Sequence, residues 1–135
     1  MAVIYVARSA IVAEWASDVG LGKNIYKLGV AKDAEAALAE LNKGHCGGND
    51  WTVVATQDAG DQKADALVER LAKKEKMIDP KLYPRLRGAT GLFKIKLENV
   101  ENHVMVKKAL ENLQVVAPKL KPADFAAYIF ANVAK

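Results

Sequence analysis

The chain has 135 residues, 51% apolar and 27% charged, with a net charge of +4. This balance predicts one globular domain around one core, and it excludes a disordered chain or a large modular enzyme. One cysteine (Cys46) and two histidines (His45, His103) exclude an intramolecular disulfide and a zinc site with four Cys or His ligands; the expected setting is reducing and cytoplasmic.

Val3 to Ala7 is a short β-rich run and reads as a strand. Met1 to Arg8 is apolar too briefly, with its charge on the wrong side, to be a secretory signal. Ala10 to Asp18 places Ile11, Val12 and Trp15 on one helical face, and Gly20-Leu21-Gly22-Lys23-Asn24 ends it. Ile25 to Val30 alternates as a second strand. The short connection predicts antiparallel pairing with the first. Asp33 is placed to cap a helix through Leu41, with Ala34, Ala37, Leu38 and Leu41 as its apolar stripe. Glycine-rich Asn42 to Asp50 is a loop, and Trp51 to Thr56 a third strand.

A helix is predicted over Asp61 to Lys76, with Ala64, Leu67, Val68 and Leu71 inward. Asp79-Pro80 and Tyr83-Pro84 then punctuate an irregular stretch. Leu92 to Leu97 reads as a half-exposed fourth strand, and Glu98 to Leu113 as a helix with Val100, Val104 and Leu113 inward. A tether, Gln114 to Lys121, leads to a last helix opened by Pro122 and carrying Phe125, Tyr128, Ile129, Phe130 and Val133. The expected fold is α/β (α+β): a small, mainly antiparallel sheet flanked by helices, in a domain over residues 1–113, with an extra C-terminal helix after the tether (114–135). That helix either packs on its own sheet or docks on a partner, a second copy included. Its apolar run, Phe125 to Ala134, is far short of the roughly 20 residues of a membrane span.

The charge is uneven. Residues 1–60 sum to −2 and residues 61–135 to +6, densest between Arg70 and Lys96. Such a stretch is either a solvated helix face with a polar loop or a surface that attracts phosphates.

Two motifs stand in register with this order. Val3-Ile4-Tyr5 opens the chain, and Tyr26-Lys27-Leu28-Gly29 is followed by a helix ending Ala39-Glu40-Leu41-Asn42. A strand, a helix, a basic loop and Leu92-Phe93-Lys94-Ile95 come next. Over residues 2 to 113 this resembles the GIY-YIG nuclease superfamily, most closely its compact phage-type and bacterial subfamily. The resemblance implies that Tyr5 and Tyr26 position a water, that Gly29 lets substrate approach, and that one Mg²⁺ or Mn²⁺ assists phosphodiester hydrolysis. The family's phosphate-stabilising arginine falls on Ala37; Lys32 and Arg8 are the nearest substitutes, although lysine does not reproduce arginine's planar fork. Its metal-binding glutamate falls on Val68, with Glu69 and Glu75 as candidates. The expected function is nucleic-acid binding, DNA favoured over RNA, by a divergent endonuclease-like protein, with Lys73, Lys74, Arg85 and Arg87 on phosphates. The alternative is a non-catalytic interaction domain that uses the C-terminal helix. Lys43-Gly44-His45-Cys46-Gly47-Gly48 reads as a turn rather than a Cys–His nucleophile, and Gly20-Leu21-Gly22-Lys23 lacks the spacing of a phosphate loop.

Overall fold

A computed structural model describes residues 2–86, 90–111 and 120–133. In chain order the elements are β1 (Val3–Arg8), α1 (Ala10–Asp18), β2 (Ile25–Ala31), α2 (Ala34–Leu41), β3 (Thr52–Asp58), α3 (Ala64–Ala72), β4 (Lys76–Met77), β5 (Leu92–Lys94), α4 (Leu97–Leu110) and α5 (Pro122–Val133). Single 3-10 turns fall at His45–Gly47 and Pro84–Leu86. The strands form one sheet in the order β3-β1-β2-β5-β4, antiparallel at every pairing. The α+β class and the antiparallel β1–β2 pair are as the sequence predicts.

Helices cover both faces. One face presents Ile4, Val6, Tyr26, Leu28 and Phe93 to α3 (Leu67, Leu71), α4 (Val100) and α5 (Phe125, Ile129, Val133). The other presents Tyr5, Ala7, Ile25 and Leu92 to α1 (Val12, Ala16), α2 (Ala37, Leu41), Cys46 and Trp51. Each fully buried aliphatic here contributes about 1.5–3 kcal/mol. The expected single core is therefore two half-cores divided by the sheet, because strand alternation sends neighbouring apolar residues to opposite sides.

Capping explains the helix starts. Ser9 Oγ accepts from Val12 N at 3.2 Å and donates to Asp50 Oδ1, and Asp50 Oδ2 accepts from Ile11 N at 3.2 Å. Asp33 accepts from Ala36 N at 2.8 Å and caps α2, as predicted.

Three boundaries differ. The helix predicted over Asp61 to Lys76 spans only Ala64–Ala72. The run Lys73-Lys74-Glu75-Lys76 has no apolar residue to extend its stripe, and residues 76–77 pair with β5 instead. Leu97, expected in a strand, is the first residue of α4 and 46% exposed. The strand before it is buried on both sides, with Leu92 and Phe93 at 0% and Ile95 at 2%, not half exposed. The tether and Leu113 lie outside the described residues except for 120 and 121. The C-terminal helix packs on its own sheet. Phe125, Ala126, Tyr128, Ile129 and Val133 are all buried there, so its apolar side belongs to the first half-core. Among the described residues no helix is long and apolar enough to cross a membrane.

Candidate nucleic-acid interface

Tyr5 pairs with Gly29 across β1 and β2. An added Cβ on Gly29 would stand 2.6 Å from the Tyr5 hydroxyl and 2.7 Å from Cζ. The glycine is needed for close approach, but Tyr5's own ring occupies the space, not substrate. Side chains two apart on a strand share a face. Counting back from Gly29, Lys27 lies on Tyr5's face, opposite Ala7, and Tyr26 points through the other face. There it stacks on Phe125 with ring centroids 5.0 Å apart and planes at 19°. Tyr5 and Tyr26 are thus on opposite sides of the sheet and cannot position one water. Burial pushes both phenols above their ordinary value, with the Arg8 charge offsetting part of the rise at Tyr26. Both shifts favour neutral phenol over the base the resemblance implies.

Lys27 is the residue that the sequence reading missed, and period-two counting from Gly29 is the signal that finds it. Its amine donates to the Thr90 carbonyl. Burial pushes the amine below its ordinary pKa, and the negative form of Cys46 offsets part of that. Burial, then the charge of Lys27, brings His45 down to about 4, so its imidazole is neutral at pH 7. His45 Nε2 has no hydrogen-bond partner among the described residues, and its ring tilts against Trp51 at 5.7 Å. Leu28 N donates to Gly91 O at 2.8 Å. Gly91 has φ +86, and a Cβ there would meet the Leu28 carbonyl at 2.6 Å. Lys27 and Gly91 together pin the segment entering β5 onto β2.

The substitutes for the family arginine do not join this cluster. Ala37 is buried at 2% in the half-core of Tyr5. Lys32 is exposed in the turn before α2. Arg8 is exposed at the end of β1, in a depression of about 500 Å³ shared with Glu14, Asp18 and Lys23.

The acidic candidates do not fit a divalent metal beside the tyrosines. Val68 packs against the half-core of Tyr26, and Glu69, one residue on, is exposed. Both ride on α3, across the sheet from Tyr5. Glu75 is 4% exposed and already has three donors. Its Oε1 accepts from Lys96 N at 2.6 Å, and its Oε2 from Asn99 Nδ2 at 2.7 Å and Tyr128 Oη at 3.0 Å. Among the described residues no three His, Cys, Asp or Glu side chains gather to hold a metal. Glu75 instead ties the end of α3 to the starts of α4 and to α5.

Around Glu75 the chain gathers positive charge. Lys74, Lys76, Lys94 and Lys96 line a depression of about 120 Å³. Lys76 and Lys94 are direct cross-strand partners, and like charges in that position destabilise a sheet. Among the described residues none of these lysines forms an ion pair. Lys73 caps the C-terminus of α3 and is exposed beside this cluster. The Arg85 side chain and Arg87 lie outside the described residues. Lys76, Lys94 and Lys96 join Lys74 only through the β4–β5 pairing, which the predicted long helix concealed.

The fold and this surface define an α+β domain with a three-layer α/β/α arrangement and a basic sheet edge. No protein-family model, no curated protein and no solved structure matches the chain.

Proposed function

We propose that this chain is a divergent GIY-YIG-like domain that binds nucleic acid, DNA before RNA, in a reducing cytoplasm. It holds phosphates with Lys74, Lys76, Lys94 and Lys96. The observation that carries this reading is the direct Lys76–Lys94 pairing inside a four-lysine depression whose single carboxylate is already hydrogen-bonded three times. Phosphate diester oxygens are the complement of such a site. The separation of Tyr5 from Tyr26 supports binding without cleavage, and Mg²⁺ or Mn²⁺ has no part in the proposal. The interaction-domain alternative loses support because the apolar side of α5 is spent on its own core.

The test is fluorescence anisotropy of labelled DNA across a salt series, for wild type and a Lys76→Gln/Lys94→Gln variant. Four phosphate contacts predict a slope of log K against log salt of roughly −3, about halved in the variant. A slope near zero, or a variant that binds like wild type, sinks the proposal. Plasmid should stay supercoiled with Mg²⁺ or Mn²⁺ present. Metal-dependent nicking abolished by Tyr5→Phe would restore the nuclease reading.

A further inference from the structure

The lysine depression has a larger neighbour. Between α4 and α5 runs an open groove of about 450 Å³, and Lys74 lines both. Glu75 joins them: its carboxylate holds Asn99 and Tyr128, both of which line the groove, while its other oxygen holds the backbone of Lys96. The volume is within the range of small-ligand sites, about 300–1,000 Å³.

The chemistry of the groove is specific. Asn99, Asn102 and Asn132 contribute three carboxamides, and among the described residues no carboxylate lines it. A carboxamide presents a donor and an acceptor side by side, the pattern that pairs with a base edge. Asn132 Nδ2 donates to Tyr128 O at 2.8 Å and Asn99 Nδ2 donates to Glu75, which leaves each of these two an acceptor oxygen. Asn102 is exposed, and its side chain makes no hydrogen bond among the described residues. His103 meets Tyr128 edge-on, with centroids 5.8 Å apart and planes at 74°. His103 also lines the groove, which brings its ring to a ligand seated there. Val106, 59% exposed, supplies an apolar wall.

The geometry points to an unpaired nucleotide as the ligand: its base enters the α4–α5 groove, stacks on His103 and is read by Asn102 and Asn132, while its phosphate sits on the lysine depression. The inference rests on the phosphate reading above and deepens it to single-stranded nucleic acid. A paired base keeps both faces stacked inside the duplex, so it cannot lay one against His103.

The probes are labelled oligo(dA), a duplex of equal length, and inorganic polyphosphate, each titrated against the full chain. The variants are Asn102→Ala/His103→Ala, both on an accessible part of α4, and Lys76→Gln/Lys94→Gln. Oligo(dA) should bind more tightly than duplex. The Asn102/His103 variant should lose about tenfold on oligo(dA), the scale of one stacked base, and nothing on polyphosphate. The lysine variant should weaken on all three. Equal binding of strand and duplex, with no effect of the Asn102/His103 variant, overturns the base groove and leaves the phosphate site standing. A lysine variant that binds like wild type overturns both. As a second measurement, the His103 ring and Asn102 amide NMR signals should move with oligo(dA) and not with polyphosphate; their staying still also overturns the groove.

Discussion

At the scale of single residues, space and charge decide more than residue type. Gly29→Ala adds one methyl where the Tyr5 ring already lies, 2.6 Å away and 7% exposed. Alanine's smaller unfolded-state entropy favours folding by about 0.4–1 kcal/mol, but overpacking against a buried ring costs about 1–3 kcal/mol, so the variant should be less stable. In a Tyr5→Ala background that penalty should vanish, and urea unfolding of the four proteins in the cycle measures it. His45 makes a pH-dependent contribution. Its folded value, about 4, lies below the ordinary 6.5. The unfolded chain therefore binds a proton between these values and the folded chain does not. Stability from this group is complete above pH 6.5 and is lost as pH falls towards 4. Unfolding midpoints at pH 7 and pH 5 should differ less in His45→Gln than in wild type. Both residues are visible in the sequence, but the ring above Gly29 and the half-buried Lys27 whose charge acts on His45 come from the tertiary fold.

At the scale of elements, the end of α3 is the instructive case. Helical spacing of Leu67 and Leu71 locates the helix well. It does not locate the stop, because Lys73 to Lys76 have no strong breaker among them. The chain leaves the helix for the β4–β5 pairing, and Glu75 between them accepts from a backbone N–H at the start of α4, a side-chain amide and the Tyr128 hydroxyl. Burial and the Glu75 bond together raise the Tyr128 phenol to about 12. Glu75→Gln replaces one acceptor oxygen by a donor, and so faces a donor with a donor. A loss of about 1–3 kcal/mol is expected from the unsatisfied group. Chemical denaturation measures it, and a variant as stable as wild type would show that the three bonds carry no net stability. Asp33, by contrast, was readable as a cap from type and position alone.

At the scale of the whole molecule, the sheet is a partition. It sends Tyr5, Lys27 and Gly29 to one half-core and Tyr26 with α3 to the other. This partition, more than any single substitution, separates the residues that the GIY-YIG resemblance groups into one site. It also gives α5 its task, since Phe125 stacks on Tyr26 and closes the first half-core. Phe125→Ala should cost about 3–5 kcal/mol and expose apolar surface, seen as a lower melting temperature together with binding of a hydrophobic dye. A variant that melts like wild type would mean that α5 is not part of the cooperative core.

The order of the elements other than β4, the antiparallel β1–β2 pair, the Asp33-capped helix start and the bias of positive charge towards residues 61–135 were determined by the sequence itself. These depend on spacing and residue type within a short window, where periodicity and capping act. Which lysines converge, which side of the sheet each tyrosine faces, and what becomes of Glu75 were decided only by the tertiary structure. Register and edge pairing bring residues far apart in the chain to adjacent positions, and a shift of one residue reverses the face of every side chain on a strand. That is why Tyr26 carries the motif, while Lys27, one place on, shares the face of Tyr5.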